Sequence, residues 1–291
     1  MTISQIINDS KPSLSFEVFP PKTQDTYETV TAAALKIAEL EPSYMSVTYG
    51  AGGGTSKYTF NICRELMERK VTPLAHLTCV SSDRETIHER LTQLRELGIE
   101  NVLALRGDIP DGFNRSEISY HHASELISEI RDFGGFCIGG ACYPEGHPES
   151  ESGAKDIEAL KIKVDCGCEF LTTQMFFDNN ILYNYMFKLL RHDIRVPVIA
   201  GIMPVTNAKQ IKRIMSLSSS SMPTRFKAIV DRFANNPEAM KQAGIAYATE
   251  QIIDLIANDV THIHIYTMNR PDIAGSIMTN LSKIIDGYEA E

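Results

Sequence analysis

The chain of 291 residues lacks several features that would assign it to a familiar class of protein. It has no apolar run long enough for a membrane span, and residues 1–11 show no basic region followed by an apolar core, as a secretion signal does. Acidic residues outnumber basic ones, which gives a net charge of −9, and the sequence has no stripe of clustered basic residues. These absences argue against a nucleic acid or a membrane as partner, and we expect a cytoplasmic protein.

Two further absences concern metals and nucleotides. The six cysteines are scattered, and Cys166 and Cys168 stand closer together than zinc ligands usually do, so we expect no metal there. No strand-like segment is followed by G-x-G-x-x-G with an acidic residue ~20 positions later, which is the fingerprint of a Rossmann dinucleotide site. What remains is an ordinary globular composition, with 43% hydrophobic and 22% charged residues.

The pattern that is present is a regular alternation of apolar strand-like segments and amphipathic helical segments. Eight such strands, each followed by helical material in ~290 residues, predict a (β/α)₈ barrel that forms a single domain over residues 1–291. A doubly wound sheet is the alternative fold, which the missing fingerprint disfavours. The predicted strands are 14–19, 44–49, 74–80, the run that ends at 105, 136–143, 170–176, 198–203 and 261–268.

Two details of the helices are also predicted. Ser82 and Glu85 have the spacing of a capping box and should begin the helix that ends at Gly98. The segment 206–259 is longer than one helix needs and predicts two or three, the last beginning at Asn236 and Pro237.

Polar residues collect at the carboxyl ends of the predicted strands. The fourth strand, for example, stops abruptly at Arg106, Gly107 and Asp108, although this pair of charges could simply tie down a loop. In a barrel all eight carboxyl ends meet at one mouth, so these residues should be neighbours and form a site. They are Glu17, Thr48, Tyr49, His76, Arg106, Asp108, Tyr143, Gln174, Tyr266 and Arg270.

Glu17 is the candidate general acid of this set. It lies in an apolar strand, where loss of hydration favours the protonated carboxyl group that a general acid needs. The alternative is a carboxylate paired with a cation inside the barrel. His76 is interpreted as a hydrogen-bonded histidine or a ligand contact rather than as a metal ligand.

His262 and His264 suggest a different function. Alternation along a strand places both imidazoles on one face, as in barrel hydrolases that bind catalytic metals. Such sites need further His or Asp ligands, whereas the other strand ends offer Glu17 and Gln174. A metal-dependent hydrolase therefore stays open as an alternative, as does a non-catalytic binding protein.

Seven blocks of sequence resemble one known family, the methylenetetrahydrofolate reductases, and they occur in the family's order. They are SFEVFPPK at 15–22, SVTYGAGG at 46–53, HLTC at 76–79, LRGD at 105–108, YPEGHP at 143–148, TQMFFD at 173–178 and YTMNR at 266–270. The resemblance implies a (β/α)₈ flavoprotein that reduces 5,10-methylenetetrahydrofolate to 5-methyltetrahydrofolate. NADH or NADPH would supply the electrons, hydride passing through bound FAD in a ping-pong reaction of one-carbon metabolism and methionine biosynthesis.

The resemblance also implies roles for individual residues. Glu17 matches the general acid, Asp108 matches a charged residue near flavin and folate, and Gln174 and Arg270 match residues that contact the folate. Either His122 or Tyr120 would take the place of the family's aromatic flavin contact. The positions at or beside those that bind FAD are Thr48, Tyr49, Ala51, His76, Arg106, Gly107, Asp108, Tyr143, His147, Asp156 and Lys163.

Three expectations about the whole protein follow from the same resemblance. The protein should be a homo-oligomer. It should lack the carboxyl-terminal regulatory domain of eukaryotic relatives, because little sequence follows the predicted barrel. Some relatives of this fold work without FAD, so a flavin-independent reductase is a further alternative.

Overall fold

A computed structural model of the protein describes residues 1–9, 11–21, 23–50, 56–109, 119–209, 211, 214–215 and 220–288. Eight parallel strands follow one another in sequence order around a closed barrel, and β8 pairs with β1 to complete it. The predicted (β/α)₈ barrel is therefore confirmed. The strands are β1 (Ser13–Val18), β2 (Tyr44–Val47), β3 (Pro73–Thr78), β4 (Asn101–Leu105), β5 (Cys137–Cys142), β6 (Phe170–Thr173), β7 (Val198–Ile202) and β8 (His262–Tyr266).

Helices surround the barrel, and their buried faces pack on the outward-facing residues of the strands. They are α1 (Ile3–Ile7), α2 (Tyr27–Ala38), α3 (Ser56–Glu68), α4 (Arg84–Glu96), α5 (Ala123–Phe133), α6 (Gly153–Asp165), α7 (Asn179–Arg191), α8 (Thr224–Phe233), α9 (Pro237–Ala257) and α10 (Pro271–Asp286). A 3₁₀ turn, Gln24–Thr26, precedes α2. Within the described residues, no helix is both long and apolar enough to cross a membrane.

The long segment before β8 contains two complete helices among its described residues, α8 and α9. Asn236 caps α9 by accepting a hydrogen bond from the backbone N–H of Ala239 at 3.1 Å, and Pro237 is its first residue. The predicted start of this helix is confirmed. A small apolar cluster that includes Phe177, Phe226 and Met240 holds both helices against the chain that leaves β6.

The predicted cap of α4 is wrong by one residue. Asp83 is the N-cap, and its carboxylate accepts the backbone N–H of Thr86 at 2.9 Å. Ser82 lies in the preceding turn, where its N–H donates to the carbonyl of Cys79 at 3.0 Å. A carboxylate also interacts favourably with the positive end of the helix dipole, which the spacing of a capping box does not take into account.

The helix α1 is not predicted from the sequence. Its residues Ile3 and Ile7 are buried against an inner layer of the barrel, and the backbone N–H of Ile3 donates to the side chain of Asn101 at 2.8 Å. Since Asn101 is the first residue of β4, α1 closes the amino-terminal end of the barrel. The carboxyl-terminal end is thus the side on which the polar strand ends lie.

Candidate active site

The carboxyl group of Glu17 lies inside the barrel, close to the carboxyl end of β1. The residue is 7% exposed, and its Oε2 lies 3.5 Å from Nε2 of His76 and 3.8 Å from Nε2 of His264. Strand register places Glu17 beside Ser46, whose hydroxyl group lies 3.4 Å from the same oxygen. Within the described part of the chain no Lys or Arg forms an ion pair with Glu17, so the pairing with a barrel cation is not seen.

His76 faces this carboxyl group as a neutral imidazole. Burial lowers the pKa of His76 to about 4, and His264 lowers it further, which outweighs the opposite effect of Glu17. Nε2 of His76 has no hydrogen-bond partner among the described residues, although it lies near Glu17. His76 therefore adds no positive charge beside Glu17 at neutral pH.

His262 and His264 each form a hydrogen bond with a serine of β1. Nδ1 of His262 lies 2.9 Å from Oγ of Ser13, and Nδ1 of His264 lies 2.8 Å from Oγ of Ser15. Over the described residues, no group of three or more His, Cys, Asp or Glu side chains could hold a metal ion. The arrangement therefore gives no support to the metal-dependent hydrolase.

A cavity of about 780 Å³ opens near the carboxyl ends of β3 to β5. Its size is within the range of small-molecule sites. A neighbouring cavity of about 560 Å³ shares three of its lining residues, Tyr143, Asp156 and Tyr185. Eight of the residues predicted to lie at or beside a cofactor line the larger cavity, namely Tyr49, Arg106, Gly107, Asp108, Tyr143, His147, Asp156 and Lys163.

The remaining predicted cofactor residues are placed differently. Thr48 lies next to Tyr49 just beyond β2, and His76 lies inside the barrel beside Glu17. Ala51 is outside the described residues. His122, the N-cap of α5, lines the cavity, whereas Tyr120 is 2% exposed and belongs to the hydrophobic core. Of the two candidates for an aromatic contact, His122 has the suitable position.

Arg106 forms an ion pair with Glu149 rather than with Asp108. This pair raises the pKa of Arg106, and the guanidinium also donates to the carbonyl of Gly107 at 3.1 Å. Asp108 is exposed and forms no ion pair with another residue in the described ranges. Its negative charge thus faces the open mouth instead of closing a loop.

Gly107 is required by the shape of this turn. Its φ is +85°, and an added Cβ would lie 3.0 Å from Cβ of Thr78 on the neighbouring strand. The backbone N–H groups of Cys79 and Val80 both donate to the carbonyl of Arg106, at 3.1 and 2.8 Å. Glycine therefore allows the end of β4 to approach β3 closely and to turn toward the cavity.

Lys163 places a buried ammonium group in the wall of the cavity. Its Nζ donates to the carbonyl of Ala141 at 2.6 Å, and burial lowers the pKa of Lys163. No carboxylate of the described chain lies within ion-pair distance of Nζ. The first residues of α5, Ala123 and Ser124, line the same cavity, and the start of a helix attracts anions. An anionic ligand would compensate this buried charge.

Tyr143 and His147 form an aromatic corner of the cavity. Their ring centroids are 4.6 Å apart in an edge-on arrangement. Burial, assisted by the charge of Asp108, raises the pKa of Tyr143 to about 12, so its phenol stays protonated. Burial lowers the pKa of His147, and Nδ1 of its ring accepts the backbone N–H of Glu149 at 3.1 Å. The corner is thus neutral and can donate hydrogen bonds.

Gln174 and Arg270, the predicted folate contacts, lie outside the lining of this cavity. Gln174 follows β6, is half-buried, and accepts the backbone N–H of Met175 at 2.9 Å. The guanidinium of Arg270, just beyond β8, donates to the carboxylate of Asp272 at 3.0 and 2.8 Å. Both residues are at the carboxyl-terminal end of the barrel, with the charge of Arg270 already paired.

Several residues of the site were not predicted. Ser15 and Ser46 lie around Glu17 and His264, while Glu149 pairs with Arg106. The spacing of Ser15 and Glu17, two residues apart on a strand, is a signal that both side chains point inward. Ser46 can be found only from strand register, and Glu149 only from the path of the loop after β5.

Comparison with known proteins gives a consistent picture. The family model described as "Methylenetetrahydrofolate reductase" matches residues 2–282. The 5,10-methylenetetrahydrofolate reductase of Pectobacterium carotovorum subsp. carotovorum is 34% identical over 92% of this chain and 90% of its own length, and that of Escherichia coli (strain K12) is 32% identical over the same shares. The "Methylenetetrahydrofolate reductase (NADH) 1" of Arabidopsis thaliana is 33% identical over 97% of this chain, which spans 50% of that protein.

A solved structure shares the fold at lower sequence identity. It is an uncharacterized protein from Clostridium thermocellum described as binding two copies of 5-methyl-5,6,7,8-tetrahydrofolic acid. The alignment covers 99% of this chain and 100% of that one, with a TM-score of 0.66 and 13% identity. At this identity the likeness establishes the fold alone.

Proposed function

The chain belongs to the methylenetetrahydrofolate reductase family, and from this premise we propose that it reduces 5,10-methylenetetrahydrofolate to 5-methyltetrahydrofolate using bound FAD and a reduced nicotinamide. The observation that carries the proposal is the position of Glu17. It offers a buried carboxyl group without a cationic partner of Lys or Arg among the described residues, at the same end of the barrel as the large cavity.

The role of Glu17 follows from the chemistry of the substrate. The methylene carbon bridges two nitrogens, and the product keeps it on N5, so the bond to N10 must break. A proton delivered to N10 makes that nitrogen a better leaving group and leaves an iminium cation at N5. A protonated carboxyl group can provide this proton as a general acid. After the transfer Glu17 is a carboxylate and needs a new proton before the next turnover.

The residues of the large cavity fit FAD. The buried ammonium of Lys163, the guanidinium of Arg106 and the start of α5 would hold the pyrophosphate, since each favours an anion. The corner of Tyr143 and His147 would pack against a ring of the cofactor. FAD, when bound, would accept two electrons from the nicotinamide and pass them to the folate.

Asp108 is proposed to act through its charge. An exposed carboxylate at the cavity, unpaired with any cation of the described chain, would favour the iminium cation of the opened folate. The same charge would disfavour further negative charge on the neighbouring cofactor. Asp108 would thus act as a fixed charge, and Glu17 as a proton donor.

Gln174 and Arg270 are proposed to bind the folate. The amide of Gln174 can form hydrogen bonds with a pterin, and in the other half-reaction with the nicotinamide. Arg270 would contact the glutamate tail of the folate if its guanidinium exchanges Asp272 for the substrate's carboxylates. The folate bound to the similar barrel from Clostridium thermocellum supports a reduced folate as the ligand of this fold.

The test separates the two half-reactions. Glu17→Gln should preserve the bleaching of the flavin by the nicotinamide and stop its return by methylenetetrahydrofolate, because an amide cannot supply the proton. Stopped-flow absorbance without oxygen measures both steps. Glu129→Gln is the matched control, since Glu129 also has a poorly exposed carboxylate but lies on α5, where it contacts Arg84 and His88. A Glu17→Gln variant that reoxidises at the normal rate would disprove the assigned role.

A further inference from the structure

The loops that leave β1 and β8 are joined by side chains where the strand ladder has ended. The last residue pair of this ladder is Glu17 with Tyr266. Beyond it, Oγ1 of Thr267, a residue that is 1% exposed, donates to the carbonyl of Glu17 at 2.7 Å. The amide of Asn269 brackets Phe19, since it accepts the backbone N–H of Phe19 at 2.8 Å and donates to its carbonyl at 2.9 Å. Two side chains thus continue the pairing of β1 with β8.

The sequence after Phe19 makes this side-chain clamp important for the end of β1. The next two residues are prolines, which have no backbone N–H and cannot donate to a neighbouring strand. On the other side of β1, the backbone N–H of Thr48 donates to the carbonyl of Val18 at 3.0 Å. Three consecutive carbonyl groups are therefore held, one from the side of β2 and two from the turn after β8. The backbone that carries Glu17 is fixed from both sides.

The turn that supplies the clamp has an unusual backbone. Met268 and Asn269 have φ angles of +53° and +56°, in the left-handed region that side chains with a Cβ rarely adopt. Six non-glycine residues of the described chain have a positive φ, and the other four lie within three residues of the end of a helix, where a left-handed residue is common. Backbone strain outside such places persists where surrounding contacts hold it, and it is found at functional sites.

The direction of the Glu17 side chain depends on this backbone. The described side chains that face Oε2 of Glu17 approach it at 3.4 Å from Ser46, 3.5 Å from His76 and 3.8 Å from His264. These distances are longer than those of the hydrogen bonds that usually fix a carboxyl group. The position of the carboxyl group is therefore set largely by its own main chain. A displacement of about 1 Å at a catalytic group can cost about 100-fold in rate.

We propose that Thr267 and Asn269 are positioning residues that aim the carboxyl group of Glu17 at N10 of the folate. This inference rests on the proposed function, in which Glu17 protonates N10. Arg270, the proposed contact of the folate's tail, directly follows Asn269, and its backbone N–H donates to the carbonyl of Thr267 at 3.1 Å. The same turn thus holds the proton donor and the residue that binds the tail, so it fixes the distance between them.

The barrel provides matched variants for the test. Thr267→Val keeps the shape of the side chain and removes the hydroxyl, whereas Thr267→Ser keeps the hydroxyl. Asn269→Gly removes the amide and accepts the positive φ without strain. The control is Asn101 at the opposite end of the barrel, where Oδ1 accepts the backbone N–H of Ile3 at 2.8 Å and Nδ2 donates to the carbonyl of Met1 at 3.3 Å. Asn101→Ala therefore removes a similar clamp far from the mouth.

Stopped-flow absorbance of the holoenzyme without oxygen measures both half-reactions at saturating substrate. Thr267→Val and Asn269→Gly should be reduced by the nicotinamide at the wild-type rate, because that step uses no proton from Glu17. Their reoxidation by methylenetetrahydrofolate should slow by about 10- to 100-fold. Thr267→Ser and Asn101→Ala should reoxidise at close to the wild-type rate. Thr267→Val should also bind 5-methyltetrahydrofolate as tightly as wild type, since the clamp acts on the proton transfer.

Three results would overturn the positioning role. They are normal reoxidation of both test variants, an equal loss in both half-reactions, and an equal loss in Thr267→Ser and Thr267→Val. If Asn269→Gly does not fold, the comparison of the two Thr267 variants decides. If wild type does not reduce methylenetetrahydrofolate, or Glu17→Gln does so normally, the proposed function itself fails. A slow Glu17→Gln variant together with normal clamp variants would refute the positioning role alone.

Discussion

At the scale of single residues, burial decides the charge of the groups around the barrel mouth. It keeps the imidazole of His76 neutral and the phenol of Tyr143 protonated, and it lowers the pKa of Lys163. Burial of each group therefore changes the pH at which it gains or loses a proton. Two predictions follow from individual residues.

The first prediction concerns His76 and the dependence of stability on pH. Below its ordinary pKa of 6.5, the unfolded chain binds a proton at His76, whereas the folded chain does so only near pH 4. The unfolded state therefore gains protons first, and stability falls as the pH decreases through this window. His76→Gln should reduce the loss of unfolding free energy between pH 7 and about pH 4.5 by roughly 2 kcal/mol.

Urea unfolding at the two pH values measures this difference. His192→Gln is the control, since His192 is exposed at the end of α7 and should leave the pH dependence as in wild type. The same pH dependence in His76→Gln and wild type would show that the imidazole is not held neutral by the fold.

The second prediction concerns Lys163 and the affinity for FAD. Lys163→Met removes the buried ammonium and should weaken FAD binding by about 10- to 100-fold, because a charge-assisted contact contributes roughly 1.5–3 kcal/mol. Lys161→Met is the control on the same helix, where Lys161 pairs with Asp165 at the surface. Flavin fluorescence during titration of the flavin-free protein gives both affinities. Equal affinities in the two variants would remove Lys163 from the cofactor site.

The sequence predicts the residues of the site whose signal is local. Glu17 in an apolar strand and the charges that follow β4 can be recognised without coordinates. Ser46 cannot, because its contact with Glu17 depends on the register between β1 and β2. The pairing of Arg106 with Glu149, 43 residues away, depends on the course of a loop, and no rule of spacing predicts it.

At the scale of elements, the helix α1 acts as a plug for the amino-terminal end of the barrel. Ile3 is completely buried there, so Ile3→Ala should lower the unfolding free energy by about 2–4 kcal/mol, as for other buried aliphatic residues. Ile162→Ala, at a position that is 55% exposed on α6, should change it by less than about 0.5 kcal/mol. Denaturant unfolding provides the comparison, and a tolerant Ile3→Ala variant would show that α1 does not stabilise the barrel.

Periodicity predicts the type and order of the elements better than their ends. The start of α9 is predicted correctly, because an Asn-Pro pair is a strong local signal. The sequence pattern predicts several strands to continue past the carboxyl ends that the structure gives them. There the apolar pattern continues, but the backbone leaves the ladder to form the loops of the mouth. The five residues of α1 are too few for a periodic signal.

At the scale of the whole molecule, eight repeated units bring distant residues to one end of a closed barrel. Glu17 and His264 are separated by almost the entire chain and become neighbours because β8 pairs with β1. If the proposed FAD site is correct, the mouth of a closed barrel provides it without a Rossmann fingerprint. Two properties of the whole molecule stay predictions: that it is a homo-oligomer, and that it has a single domain without a regulatory extension. The choice between NADH and NADPH stays open.

The visible spectrum of the purified protein tests the central claim most directly. Recorded without oxygen, it should show a yellow flavin that bleaches with NADH or NADPH and returns when 5,10-methylenetetrahydrofolate is added. This result would establish both half-reactions and identify the preferred nicotinamide. A colourless protein that takes up no added FAD, yet forms 5-methyltetrahydrofolate, would contradict the flavin account and indicate a flavin-independent reductase on the same barrel.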